Sequence, residues 1–496
     1  MIRLLRIAVM VLAAFAVLAA VLYQFFGLRI SLDGGGSPRL TFVVDADTQA
    51  EVIARHREAQ RREPSDVIEA SAPVASAGPG VQSPASRDGA DAGSTAQPAA
   101  SRGGARPAGE PYWTDFRGPL RDGHYRERPI QTKWPAQGLR PIWKQPAGGG
   151  YASFVIARDR AFTIEQRGQE EVVAAYDLSS GREIWTNRWQ AIFQESLGGD
   201  GPRATPTWAG GVVFALGATG ELRALDESSG RTLWRVNILD DNGGTNLDWG
   251  MAASPLVVDD TVVVLPGGPA GRSIVAYDRR TGTRRWSSLS EKQSYASPML
   301  VTLGGVRQIL VFAAARLMGV SADRGELLWQ YPWRTSFDIH AGQPIVIGGN
   351  RVFLSSGYGT GAAVIELTKA GAAGAAFGVR EVWRNNRMKN QFTSSVLHEG
   401  FIYGLDEAIL ACVDAATGEL RWKGGRYGYG QVMLANGHLL VLTEDGDLAL
   451  VRATPERHEE LISFPALSGK TWNHPAMAGG ILLIRNLAEM AAYDLR

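Results

Sequence analysis

The stretch A-Y-D-L-S-S-G-R-E-I-W at 175–185 returns as A-L-D-E-S-S-G-R-T-L-W at 224–234 and as A-Y-D-R-R-T-G-T-R-R-W at 276–286. Asp, Gly and Trp keep the same mutual spacing in each copy. Asp414, Gly418 and Trp422 repeat it, and Ser321, Gly325 and Trp329 repeat it with the Asp replaced. A period of about 40 to 50 residues carrying short β-prone runs is the signature of a propeller, in which each repeat forms one four-stranded blade.

One repeat can be written out strand by strand. Residues 254–260, 261–267, 273–278 and 283–286 are four short runs rich in Val, Ile and Leu, bounded by Gly, Asp and Pro. That is the pattern of a hairpin meander. Asp or Ser followed by Gly suits the turn between the third and fourth strands, because it combines a local side-chain acceptor with a residue that tolerates positive φ. The Trp that follows offers a broad apolar face to the neighbouring blade.

Weaker copies fill the other places. Glu366 and Trp383 are separated by an Ala/Gly-rich insert at Lys369–Gly378, and Arg452 is followed by Phe464 where a Trp is expected. The final copy, Ala492–Arg496, stops before any Trp, whereas Arg140-Pro141-Ile142-Trp143-Lys144 holds a Trp that no complete repeat uses. The expectation is that residues 140–146 form the closing strand of the last blade. Counting Trp143, Trp185, Trp234, Trp286, Trp329, Trp383, Trp422 and Phe464 predicts an all-β, eight-bladed ring without a free sheet edge at its junction. The openings of the first strands at Ser153, Thr205, Ser254, Ser297, Gln343, Ser395, Gln431 and His474 give the same tally.

With 496 residues, 45% hydrophobic side chains, 59 Gly and 14 Trp, the chain suits a turn-dense β-protein with a large core. A net charge of +1 gives no overall attraction for nucleic acid. Cys412 is the sole cysteine, so no disulfide or cysteine-based zinc site forms within the chain, and it reads as a small core residue.

Ahead of the repeats, residues 1–30 read as a transmembrane signal-anchor, since Ile7 to Phe26 is an apolar run long enough to span roughly 30 Å of hydrocarbon. Arg3 and Arg6 place the N-terminus in the cytoplasm and the rest outside it. The expected location is the inner membrane, single-pass, with the propeller in the periplasm. Residues 31–63 form a juxtamembrane segment with a short charged helix at Asp45–Glu63, read as solvated because few of its positions are apolar. Residues 64–111 are mostly Ala, Ser, Gly and Pro and read as a disordered linker whose r.m.s. span would be about 40 Å. Residues 112–496 are the propeller.

From Trp113 onward the sequence resembles bacterial PQQ-like β-propeller proteins, named after pyrroloquinoline quinone. The repeats carry this resemblance, with the lead-in W-T-D-F-R-G-P-L-R-D-G at 113–123 and W-P-A-Q-G-L-R-P-I-W at 134–143. It implies one of two activities: scaffolding, as in propellers of the outer-membrane barrel assembly machinery, or PQQ- and Ca²⁺-dependent oxidation of an alcohol or sugar. The chain has no adjacent cysteines, few long insertions and no C-x-x-C-H.

Ligand groups on a propeller belong on the loops that lead into the innermost strands. Two such loops are long, with Trp185 and Pro206 lying 21 positions apart and Trp234 and Pro255 also 21, against 12 from Trp286 to Pro298. They carry Glu195, Asp200, Arg203, Asn246, Asp248 and Trp249, and loops on the same face add Tyr295, Asp338, His340, Asn390, Gln391, Trp472, Asn473 and His474. Glu195, Asn246 and Asp338 are the candidate hard-oxygen ligands for Ca²⁺. In the dehydrogenase reading Asp338 is also the catalytic base, and Arg203, Trp249, Trp472 and Asn473 are the candidate residues for binding PQQ. No G-x-S-x-G, H-E-x-x-H or phosphate-loop motif is present, and His340, His398 and His474 stand alone and read as structural. The favoured function is a membrane-anchored binding or scaffolding module for an envelope protein or small ligand.

Overall fold

Eight antiparallel sheets, blades 1 to 8 in chain order, follow one another in a computed structural model that describes residues 17–18, 21–22, 28–42, 45–62, 112–195, 198–369 and 376–496. Their innermost strands are Val155–Ala157, Thr207–Ala209, Leu256–Val258, Met299–Leu303, Ile345–Ile347, Val396–His398, Gln431–Ala435 and Ala476–Ala478. The innermost strand of blade 8 touches that of blade 1, which closes the ring. The fourth strand of blade 8 is Pro141–Pro146, with Trp143 opposite Ala492 as the unused Trp required.

The repeat motif does structural work on both sides of each blade junction. Asp177 Oδ1 accepts the amides of Ser179 and Ser180 at 3.1 and 2.8 Å, and Asp226, Asp278 and Asp414 close their turns in the same way. The Trp of one blade then lies on the turn of the next. Trp143, Trp185 and Trp234 donate from Nε1 to the carbonyls of Leu178, Glu227 and Arg279 at 3.0, 2.9 and 2.9 Å. Glycine is needed for two reasons at once: Gly230 has φ 71°, and a Cβ there would stand 2.4 Å from the Trp185 ring.

The lead-in 112–125 crosses one end of the central channel and stoppers it. Tyr112–Trp113 pairs with the innermost strand of blade 1, and His124–Tyr125 runs parallel to that of blade 7, in both cases at the last residues before the strand turns outward. Between them Arg121 enters the channel, where its Nη1 donates to the carbonyls of Ser254 and Pro298 at 3.2 and 2.8 Å and its Nη2 to Thr207 Oγ1 at 3.2 Å and to the Pro255 carbonyl. Asp115 Oδ1 balances its charge at 3.0 Å. Arg117 donates to the Ser395 carbonyl at 2.8 Å. Carbonyls from blades 3, 4 and 6 and a hydroxyl from blade 2 thus accept from two buried guanidinium groups.

Two elements upstream of residue 63 rest on the ring. Helix Ala46–Arg62, capped by Asp45 Oδ1 accepting the Thr48 amide at 2.9 Å, lies across the seam between blades 8 and 1. Ile53 is 1% exposed and Arg57 3%. Arg57 Nη1 donates to Gln145 Oε1 at 2.7 Å and its Nε is 3.5 Å from Glu183, while Gln49 Nε2 donates to the carbonyls of Ala147 and Leu487. The expectation of a solvated helix is therefore corrected. Its docking stripe of Gln49, Ile53, Arg57 and Gln60 has a single apolar member, and hydrogen bonds take the place of apolar burial. The second element is a hairpin, Leu28–Leu32 with Pro38–Phe42.

Among the described residues no helix is long and apolar enough to cross a membrane. Most of the apolar run 7–26 and all of the linker 64–111 lie outside the described residues. Arg62 and Tyr112, on either side of that linker, both belong to segments docked on the propeller, so it does not set the distance between the hairpin and the ring.

Candidate binding site at the channel mouth

The open end of the channel is the face formed by the loops that lead into the innermost strands. It holds a cavity of about 610 Å³ with Phe116 of the stopper, Ser254, Ser297 and His474 among its walls, and nine of the described aromatic side chains lining it. Aromatic groups arrive from widely separated loops: Tyr151, Trp249, Tyr295, Phe337, Tyr358, Phe392, Tyr429 and Trp472. Trp472 packs against Phe392 with ring centroids 4.4 Å apart and against Tyr151 at 5.1 Å. Trp249 meets Tyr295 edge to face at 6.0 Å, and Phe337, 64% exposed, stands at the rim against Tyr358. Half-buried aromatics with one exposed at the rim, over an apolar concavity, are the usual chemistry of a binding surface.

Two cations flank this wall. Arg203 lies 4.6 Å over the Phe193 ring and donates to the Gly199 and Gly201 carbonyls, the former at 2.6 Å. Lys470 Nζ lies 4.2 Å from the Trp472 ring centroid, and burial pulls its pKa down to about 8 against the opposing pull of Glu444.

The hairpin reaches into the same mouth. Its tip, residues 33–37, is closed by Asp33, whose Oδ1 accepts the amides of Gly35 and Ser37 at 3.0 and 2.8 Å. The Gly34 amide donates to Glu444 Oε1 at 2.8 Å, and Gln391 Nε2 donates to the Gly34 carbonyl at 2.6 Å. Gln391 was legible as a mouth residue, whereas Glu444 sits in a short turn that loop length did not flag.

Residues 169–424 match a family model described as outer membrane protein assembly factor BamB, which is just over half of the chain. The chain belongs to the PQQ-like β-propeller family. Within that family it is 22% identical over 216 residues to outer membrane protein assembly factor BamB of Bordetella pertussis, covering 42% of this chain and 49% of that protein. It is 34% identical over 87 residues to the lanthanide-dependent methanol dehydrogenase of Methylacidiphilum fumariolicum, covering 17% and 14%. The chain thus spans half or less of the length of these curated relatives. Among solved structures, BamB from Moraxella catarrhalis superposes with a TM-score of 0.52 at 15% identity, covering 72% of this chain and 99% of that one. The quinohemoprotein alcohol dehydrogenase from Comamonas testosteroni gives 0.55 at 13%, covering 77% and 80%. At these identities the likeness concerns the fold alone.

In this PQQ-like propeller the candidate residues separate into groups. Arg203, Trp249 and Trp472 line the aromatic mouth. Asn473 does not: it is buried, and its Nδ2 donates to the carbonyls of Gly150 and Ala152, so it braces the loop beneath. Glu195 lies beside Arg203 and Trp249 around Gly198, whose amide it accepts. Asn246 and Asp338 border an adjoining depression of about 680 Å³ that shares Trp249, Tyr295 and Phe337 with the mouth. Asp338 is 3.2 Å from Lys292 and 3.5 Å from Arg334, and Asn246 is spent on the Ala218 carbonyl and the Leu247 amide. A carboxylate held between two cations and an amide turned to the main chain do not form a Ca²⁺ shell, and among the described residues no three His, Cys, Asp or Glu side chains gather for a metal. The three candidate donors are thus not gathered around one calcium position.

Two of the histidines are packed into the fold. His340 is buried between Ser356 Oγ at 2.8 Å and the Ala314 carbonyl at 3.1 Å and stacks on Phe312, with burial lowering its pKa to about 4. His474 is likewise buried and lowered to about 3. Cys412 is fully buried in a blade strand, its thiol raised to about 12 by burial.

Proposed function

We propose that this chain is a membrane-anchored, extracytoplasmic binding and scaffolding module that engages an envelope protein through the aromatic mouth. One observation carries the reading: aromatic side chains from many blades converge on a single concavity, while the acidic candidates around it are committed to cations and main-chain groups. Such a surface offers apolar area and aromatic faces rather than reactive groups. The name of the matched family, an assembly factor, agrees with a protein partner.

The inner-membrane, periplasm-facing arrangement is part of the same proposal. It is supported by the apolar run at 7–26 and by Ile30 and Leu40, cross-strand neighbours on the hairpin that are 67% and 71% exposed beside that run. The competing reading is a PQQ- and Ca²⁺-dependent alcohol or sugar dehydrogenase, for which Trp249 and Trp472 would flank the planar cofactor.

Calorimetric titration of the full chain with PQQ and Ca²⁺, together with a photo-crosslinking side chain placed at Phe337, decides between them. The scaffold reading expects no heat from PQQ and a discrete protein adduct in membranes that Trp472→Ala depletes at least fivefold. Stoichiometric PQQ binding overturns it.

A further inference from the structure

The tip of the hairpin is held by its main chain. Gly34 offers one amide and one carbonyl, and each meets a dedicated side chain, Glu444 at 2.8 Å and Gln391 at 2.6 Å. Glu444 is 3% exposed and is itself fixed, since Oε1 also accepts from Trp472 Nε1 at 3.0 Å and Oε2 from the Tyr429 amide at 3.2 Å. The clamp is therefore part of the mouth's framework.

Its steric demand is equally specific. A Cβ on Gly34 would stand 2.2 Å from the Tyr429 ring, closer than any side chain can approach. The neighbouring turn is closed by Asp33 within the hairpin, so the tip brings its own geometry and needs no strand pairing with a blade. Arg39 and Asp445 form an exposed pair at 2.7 Å, and Lys470 Nζ lies 3.5 Å from the Leu32 carbonyl. The aromatic cavity stays open beside the tip, whose residues Leu32 to Gly36 form one of its walls.

We propose that the mouth is a receptor for a glycine-tipped β-hairpin, recognised through the glycine main chain by Glu444 and Gln391, and that residues 33–36 fill it in cis until a partner presenting such a hairpin displaces them. The two hydrogen bonds of Gly34 suffice for cis occupancy, because covalent attachment supplies an effective concentration on the order of millimolar. A partner hairpin that also filled the aromatic cavity would gain contacts that the chain's own tip does not make. This inference rests on the reading of the mouth as a protein-binding surface and names the shape it takes.

The test uses the full chain in detergent and a fluorescent, backbone-cyclised copy of residues 28–42. Gly34→Val is expected to abolish the slow hydrogen exchange of amides 33–37 and to bind the added peptide at least tenfold more tightly than the wild type, whose site is already filled. Adding Gln391→Ala to that variant is expected to remove the gain, and a peptide with Val for Gly34 is expected not to bind. Equal peptide binding by wild type and variant, or unchanged exchange at the tip, overturns the proposal. Gly34→Val changes no blade, so an unaltered melting temperature serves as the folding control. Stoichiometric PQQ binding in the calorimeter would remove the protein-binding reading instead, and the exchange result would stand apart from it.

Discussion

Arg485 of blade 8 reaches across the seam to within 3.6 Å of Glu165 of blade 1, and neither side chain is exposed. The Arg485 guanidinium also donates to Thr163 Oγ1 at 2.8 Å and the Gly148 carbonyl at 2.7 Å, so the first and last blades are joined by side chains as well as by the closing strand. Removing the cation leaves a buried carboxylate with one partner fewer. Arg485→Met is expected to cost about 3–5 kcal/mol in denaturant unfolding.

The same junction sets an acid response. Burial alone would raise the Glu165 carboxyl, but Arg167, Arg485 and Arg57 outweigh it and hold the group down at about 2. A carboxyl depressed in the folded state contributes stability that is complete above the ordinary carboxylate range and is lost as pH falls through the folded pKa. Between about pH 5 and pH 2 the wild type should lose stability more steeply than Glu165→Gln, as read from melting temperatures across that range.

Gly230 tests the blade junction. Alanine there would adopt a left-handed conformation and press on the Trp185 ring, so Gly230→Ala is expected to destabilise by about 2–4 kcal/mol. Pairing it with Trp185→Leu, which empties the contact, should cost less than the sum of the two single changes.

Arg121 is the stopper's central group. Arg121→Met would strand Asp115 and leave the Ser254 and Pro298 carbonyls without this donor, at an expected cost of about 3–5 kcal/mol. Arg121→Lys should recover less than half of that, because an ammonium cannot present the planar fork that reaches three blades.

Blade number and ring closure were legible because Asp, Gly and Trp each have one job that few other residues can do, and because Trp143 had no other place. Arg203 and Trp249 were legible from loop length, and Trp472 from its place in a loop on the same face. Asp338 was not, since its cationic neighbours Lys292 and Arg334 come from different stretches of chain and residue type alone says nothing of pairing. Nor were Arg117 and Arg121: charged residues in a lead-in read as surface until a ring of inward-facing carbonyls exists to bind them. The hairpin, and the docking though not the existence of the helix, were hidden for the same reason, as Gly34 meets Glu444 across about four hundred residues and the helix docks by polar contacts.

Lys470 gives the mouth a pH reporter. Its ammonium, over the Trp472 ring and lowered to about 8, should discharge as pH rises through that value, changing the fluorescence of Trp472 with a midpoint near 8. Because the folded pKa lies below that of a free lysine, stability should rise, not fall, from about pH 8 to 10. Lys470→Met is expected to flatten both curves.

The helix at 46–62 lies over the seam that the closing strand and Arg485 already join, and the hairpin before it forms one wall of the mouth. A soluble fragment starting at Tyr112 would keep all eight blades yet lose both the helix and that wall. Its melting and binding behaviour would then describe an unlatched vessel, and any threshold set by the hairpin tip would be read only in the longer chain.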